Sequence, residues 1–303
     1  MNVLQNGTKV NHDRVVLITG ASSGIGQACA SYLHQRGYRV YGTSRRAPND
    51  PVTDGSFTLI QMDVDDDASV ARGIDYVMAR EGRLDVVVNN AGIGLAGAIE
   101  DTSIQEAQAV LETNFFGTLR VCRAVLPSLR KQRSGTIVNI SSIGGQISLP
   151  YQAVYSASKL AVEGLSEALR IESKPYGIRV SIIQPGDFHT GFTAHRRRTA
   201  QSAQQRVHRA RLDKALEVME HDELNGASPD EIARLLERII NTRSLRLRYT
   251  TGPLSERLAL RLKPFIPARL FEWAITRYYQ LNASAGTQAG DLETGNNFYE
   301  DDG

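Results

Sequence analysis

The sequence predicts an α/β fold, a doubly wound parallel sheet with helices on both faces, and three observations carry that prediction. Short apolar runs alternate with helix-patterned stretches through most of the chain, the order expected of a parallel sheet with crossover helices. Arg14–Gly20 (RVVLITG) is an apolar run that stops at glycine and leads through a glycine-rich bend into a helix. Leu84–Asn90 (LDVVVNN) is nearly all apolar, as a parallel strand buried on both faces must be.

Taken in order, the first strand is followed by Thr19-Gly20-Ala21-Ser22-Ser23-Gly24-Ile25-Gly26 and by the helical pattern IGQACASYLHQRG, which ends at Gly37. Glycines at such a bend let the backbone approach a pyrophosphate, and the helix start behind them offers free amides and the positive end of a dipole. The plainer reading is a tight turn that binds nothing. The spacing is TGxxxGxG, with the same mechanics as the commoner dinucleotide fingerprint.

Tyr38–Thr43 (YRVYGT) is the second strand, and Ser44-Arg45-Arg46 follows it. A carboxylate here would hold a ribose 2′-hydroxyl, whereas arginine accommodates a 2′-phosphate. With Ser44 and Arg45 in place, NADP is the preferred cofactor and NAD the alternative; solvated loop charges are the plain reading of the arginines.

Phe57–Met62 is a third strand with Asp63 and Val64 at its end, and Asp65–Gly82 is a helix with acidic residues in its first turn. Leu84–Asn90 runs into Asn90-Ala91-Gly92. The spacing predicts one long helix over 103–132, containing Asn114, then a strand over Gly135–Ser141 (GTIVNIS). A helix over 152–174 holds Tyr155 and Lys159. Ile178–Gln184 is the next strand, followed by Pro185-Gly186-Asp187-Phe188-His189-Thr190, and Leu245–Thr251 is the last.

Because ligands in such sheets bind beyond the carboxyl ends of the strands, Gly20, Arg45, Asp63, Asn90–Gly92, Ser142 and Pro185-Gly186 should converge on one edge. Tyr155 and Lys159, one helical turn apart, share a face there. A lone YxxxK is usually a solvated helix face. Beside an ammonium, however, a phenol of ordinary pKa ~10 favours its ionised form, and Tyr155 is expected to exchange a proton near neutral pH. Lowering it by ~3 units requires ~4 kcal/mol of differential stabilisation.

Composition excludes several classes. The chain has 303 residues, 41% hydrophobic and 22% charged, with a net charge of +2, as in an ordinary globular protein without a nucleic-acid partner. Cys29 and Cys122 have no metal-ligand spacing and read as reduced packing residues. The polar start lacks a secretory pattern and no long apolar run occurs, so a cytoplasmic protein is expected.

Together these motifs resemble the short-chain dehydrogenase/reductase family. TGASSGIG (19–26), NNAG (89–92), Asn114, Ser142, YSASK (155–159) and PGDFHT (185–190) occur in the family's order and span roughly residues 14–252. The resemblance implies a Rossmann-type sheet of about seven parallel strands and NAD(P)-linked interconversion of an alcohol and a ketone or aldehyde. It implies that Tyr155 is the general acid and that Lys159 assists it while binding the nicotinamide ribose. It further implies that Ser142 orients the substrate oxygen, with Ser141 as the alternative, and that Asn114 supports a water leading protons to Lys159. Thr190, with Pro185 and Gly186, belongs to the implied cofactor contacts, and no metal is implied. The oxyanion made by hydride delivery needs donors in place and a proton from a poised group.

The family reading also organises the remainder. Residues 14–252 would form the catalytic domain and 187–224 a helical insertion over the site, its basic stretch solvated. Residues 1–13 would be flexible and 283–303 disordered. In the amphipathic extension 253–282, Leu270, Ala274, Tyr278 and Leu281 fall on one stripe, with Phe271 and Ile275 beside it. Packing on the body or a twin subunit, a lid over a lipophilic substrate and a peripheral membrane contact are its three readings. The longer chain loosely resembles the steroid and retinoid dehydrogenases, so a lipophilic carbonyl or alcohol substrate is expected, with sugar, acyl-carrier and xenobiotic substrates open. A homodimer or homotetramer through 103–132 and 152–174 follows by analogy. Two alternatives are a non-enzymatic nucleotide sensor or scaffold on the same fold and a cofactor-free lyase; the former has no need of the acid and the latter none of the glycines.

Overall fold

The computed structural model describes residues 13–53, 56–203 and 207–282. The expectations of a flexible start over 1–13 and a disordered tail over 283–303 lie, except for Asp13, outside them.

The elements run β1 (Val15–Ile18), α1 (Gly24–Gln35), β2 (Arg39–Ser44), β3 (Val52–Thr53), β4 (Thr58–Gln61), α2 (Asp67–Glu81), β5 (Val86–Asn89) and β6 (Leu95–Ala96). They continue with α3 (Ile104–Leu111), α4 (Gly117–Gln132), β7 (Gly135–Ile140), α5 (Ala153–Ser173), β8 (Ile178–Pro185), α6 (Phe192–His195) and β9 (Arg197–Arg198). The chain then forms α7 (Arg209–Leu224), α8 (Asp230–Asn241), β10 (Arg248–Thr251), α9 (Leu254–Leu262) and α10 (Ala268–Tyr278).

In space the main sheet reads β10-β8-β7-β5-β1-β2-β4-β3. Its seven longer strands are parallel, and only the two-residue edge strand β3 is antiparallel. The order reverses between β5 and β1, which opens the crevice where a ligand can enter.

Strand alternation builds two cores. Val16 and Ile18 of β1 face Leu33 of α1 and Ile232, Leu236 and Ile239 of α8. Val15 and Leu17 point the other way, onto Ile74 of α2, Val121 and Leu129 of α4, and Leu169 of α5. Each of these buried aliphatic side chains contributes about 1.5–3 kcal/mol relative to exposure. A third cluster joins Leu212, Leu216 and Met219 of α7 to Tyr279 and Leu281, so the chain's C-terminal part packs on the segment after β8.

The long helix expected over 103–132 is broken. Between α3 and α4, Glu112–Phe116 forms a π turn that holds Asn114. Such turns loosen backbone groups from the regular ladder and recur at functional sites.

Candidate active site

One cavity of about 940 Å³ opens along the carboxyl edge of the sheet. Its lining includes Gly20, Ser22, Ser23, Gly24, Ile25, Ser44, Arg45, Asp63, Val64, Asn90, Ala91, Gly92, Pro185, Gly186 and Thr190. Gly20 turns the chain at φ +65°, where a side chain would be strained, and its would-be Cβ lies 2.9 Å from Ala91 Cα. Ser23 begins α1 without a side-chain cap, leaving the first amides open to an anion. Arg45 and Arg46 are exposed at the rim, and among the described residues neither is in an ion pair. These residues fit a dinucleotide: an anion-ready helix start, an uncrowded glycine bend and free guanidinium groups beyond β2.

Thr19, Gly26 and Asn114 stand behind the lining. Thr19 Oγ1 accepts from the amides of Asn90 and Ala91 at 2.9 and 3.0 Å, and Asn90 Nδ2 donates to the carbonyls of Thr19 and Gly20. At Gly26, a Cβ would collide with the Gly20 carbonyl and Asn90 Nδ2, so only glycine lets α1 pack this close. Asn114 is fully engaged: its Oδ1 accepts from Ile93 N at 2.8 Å and its Nδ2 donates to Ile93 O and Ser158 Oγ. Its Oδ1 and Lys159 Nζ both crowd the Cβ position of Gly92, at 3.1 and 3.5 Å.

In the same cavity, Ser142 and Tyr155 are hydrogen-bonded through their hydroxyls. Gly144 N donates to Ser142 Oγ at 2.9 Å and fixes that side chain. Ser141 Oγ instead donates to the Lys159 carbonyl at 3.4 Å, so of the two serines Ser142 reaches the phenol. The Tyr155 ring packs on Phe192 of α6, with centroids 5.7 Å apart.

The expected acidification of Tyr155 is not what the geometry gives. Burial pushes the phenol up to about 12, with the Ser142 hydrogen bond acting against it. Lys159 Nζ donates to Ile140 O at 3.0 Å and sits 5.9 Å from the centre of the tyrosine ring. Burial also brings Lys159 down to about 8. The phenol is thus protonated at neutral pH and the amine is poised close to it.

The roof carries groups the sequence reading did not select. Asp187, Asp222, Glu223 and Glu256 all line the cavity. Asp187 and Glu256 are hydrogen-bonded side chain to side chain; burial raises both, Glu256 raises Asp187 further, and the hydrogen bonds with Asp187 act the other way on Glu256. Glu256 also accepts from Asp187 N at 3.1 Å, which ties α9 to the Pro185-Gly186 turn. Glu223 takes an ion pair from Arg196, whose side chain is 3% exposed, and a hydrogen bond from Thr193. The basic insertion is therefore not solvated throughout: Arg196 is interior, and removing either partner would cost about 3–5 kcal/mol. No local spacing announces these pairs, since Arg196 and Glu223 are 27 residues apart and Asp187 and Glu256 are 69 apart.

The C-terminal stripe is also corrected. Phe271, Ile275 and Tyr279 turn inward, while Leu270, Ala274 and Tyr278 of the expected stripe are exposed. Both sides of α10 are apolar, so helical periodicity alone could not say which one docks.

Residues 14–201 match the short chain dehydrogenase family. Over 268 residues the chain is 40% identical to a protein of Bacteroides thetaiotaomicron named 3-ketodihydrosphingosine reductase, covering 88% of this chain and 98% of that one. It is 40% identical over 193 residues to human 17-beta-hydroxysteroid dehydrogenase type 1, covering 59% and 58%. A solved short-chain dehydrogenase from Streptomyces avermitilis superposes with a TM-score of 0.74 at 32% identity, over 88% of this chain and 98% of that one.

Proposed function

Since this chain belongs to the short-chain dehydrogenase family, an oxidoreductase family, we propose that it reduces a long-chain ketone carrying an amine next to the carbonyl, with NADPH as its preferred cofactor. The observation that carries the reading is the Ser142–Tyr155 hydrogen bond beside Lys159, at the wall of a cavity whose roof is acidic.

Ser142 and Tyr155 present two hydroxyls to one substrate oxygen. Ser142 holds the carbonyl, and Tyr155, protonated at neutral pH, gives its proton to the forming alkoxide. A phenol held up at about 12 is an acid in waiting rather than a base, which favours reduction over oxidation. Lys159 assists from behind, and Asn114 positions the segment that carries it. A nicotinamide cofactor bound along Gly20–Ile25 would supply the hydride. A scaffold would have no use for a buried Lys159, nor a cofactor-free lyase for the glycine bend.

Arg45 supports the NADP preference, since a free guanidinium at the end of β2 complements a 2′-phosphate. Arg45→Ala should raise the Kd for NADPH about 10–100-fold while changing that for NADH less than about threefold. Equal losses for both cofactors in a fluorescence titration would remove Arg45 from phosphate recognition.

The substrate class draws on the relative's name and on the roof. 3-Ketodihydrosphingosine is a long-chain ketone with an ammonium on the adjacent carbon, and four carboxyl groups with the buried guanidinium of Arg196 as their ion-pair partner among the described residues leave the roof short of positive charge. The test follows NADPH consumption with 3-ketodihydrosphingosine, with the same ketone lacking the amine, and with a 17-ketosteroid. Loss of the amine should lower kcat/KM about 10–100-fold, the value of a charge-assisted hydrogen bond, and Asp187→Asn with Glu256→Gln should close that gap. Equal rates for the two ketones would sink the amine assignment. Tight NADPH binding with no ketone turned over would favour the scaffold.

Assembly is proposed through α3, α4 and α5, where Ile104 of α3, Leu160 and Ile171 of α5, and Phe116 of the π turn that leads into α4 are exposed. Large apolar side chains left in water suit a second copy.

A further inference from the structure

We propose that the outer face of α9 and α10 is a docking surface for an anionic lipid bilayer, which places the mouth of the cavity against the membrane.

The two helices have two distinct sides. On the inner side, Ser255, Glu256, Ala259, Ile275 and Tyr279 line the cavity. On the outer side Leu254, Leu258 and Leu262 recur every four residues along α9, and Leu270 and Trp273 follow on α10. Phe265, on the turn between the helices, is 84% exposed and Trp273 is 58% exposed. A cluster of large apolar side chains left in water this way marks an interaction site.

The charge on that face selects the partner. Arg257 and Arg261 of α9 and Arg269 and Arg277 of α10 flank the apolar residues, and among the described residues none of the four is in an ion pair. Arg277 lies over the Trp273 ring at 6.0 Å. Of the acids on these helices, Glu256 is turned into the cavity, leaving Glu272 as the exposed one. An apolar ridge with an aromatic tip and a border of arginines matches the headgroup boundary of an anionic bilayer, where the rings and leucines enter and the guanidinium groups stay at the phosphates. A second copy suits it poorly. Two-fold pairing of this face would set arginines against arginines, whereas α3, α4 and α5 offer exposed apolar residues elsewhere.

The contact is peripheral. Among the described residues no helix is long and apolar enough to cross a membrane. Its consequence is positional: the helices that line the cavity on one side would rest on lipid with the other, so a lipophilic ketone could pass from bilayer to site without crossing water. The surface stands on exposure and charge and does not depend on which ketone is reduced.

The test is flotation of the full-length protein with vesicles of phosphatidylcholine alone and with about one-third phosphatidylglycerol. Binding should be at least about tenfold stronger to the anionic vesicles and weaken at ~0.5 M salt. Phe265→Ser with Trp273→Ser, and separately Arg257→Gln with Arg261→Gln and Arg269→Gln, should each lower binding about tenfold or more while NADPH affinity is retained. No binding to either vesicle, or binding that both variants leave intact, overturns the proposal. So does sedimentation in which the same variants dissociate an oligomer, since that would give the face to a second copy.

Discussion

Tyr155→Phe is expected to lower kcat for ketone reduction by about 10²–10⁴-fold, the contribution of a positioned proton donor, while the Kd for NADPH stays within about twofold. The substitution removes one oxygen and little else. The ring keeps its contact with Phe192, and the Gly144 amide still holds Ser142 in place. Ser142→Ala should cost less, because Ser142 orients the carbonyl without carrying the proton. Transient kinetics with pre-bound NADPH separates the two losses: the tyrosine variant should slow the chemical step itself, and the serine variant should also weaken substrate binding. If Tyr155→Phe retained more than about a tenth of wild-type kcat, the proton would have to come from elsewhere. The roof carboxyl groups would then be the next donors to examine, since burial raises Asp187 to about 8 and Glu256 above its ordinary value.

The parts of this site readable in the sequence are those fixed by chain neighbours. Each long parallel strand is a short apolar run ending at its ligand-facing residue, so the sequence alone places Gly20, Arg45, Asp63, Asn90, Ser142 and Pro185 on one edge. It does not place β3, since two residues carry no period. Asn114 reads as part of one long helix because a π turn leaves the helical spacing on either side intact. The roof was illegible for a different reason: Asp187 meets Glu256, and Arg196 meets Glu223, only through the packing of α7 and α9 over the cavity. Tyr155 shows the same limit in electrostatics. Its spacing to Lys159 announces an acidifying neighbour, but spacing contains neither the burial that raises the phenol nor the Ile140 carbonyl that draws the ammonium away.

That burial sets a pH dependence. Glu163 favours the charged form of Lys159, but its carboxylate is shared with Arg248 at 2.7 Å, so desolvation prevails and the amine loses its proton at about 8. Reduction needs the phenol protonated, which holds up to about 12, and the ammonium charged, which holds only below about 8. The reduction rate should therefore be flat below about 8 and fall about tenfold per pH unit above it. Oxidation of the product alcohol needs the phenolate beside the ammonium, so it should climb about tenfold per unit toward the same pH and then level. The two directions thus break at one value with opposite slopes, because both report Lys159. Lys159→Arg, whose charge persists through this range, should extend the reduction plateau beyond about pH 10 even if the plateau itself is lower. A wild-type reduction rate that stayed level to about pH 10 would mean that the ammonium is not required. Lys159 would then be left only as a donor to Ile140, and proton delivery would rest on Tyr155 and Ser142 alone.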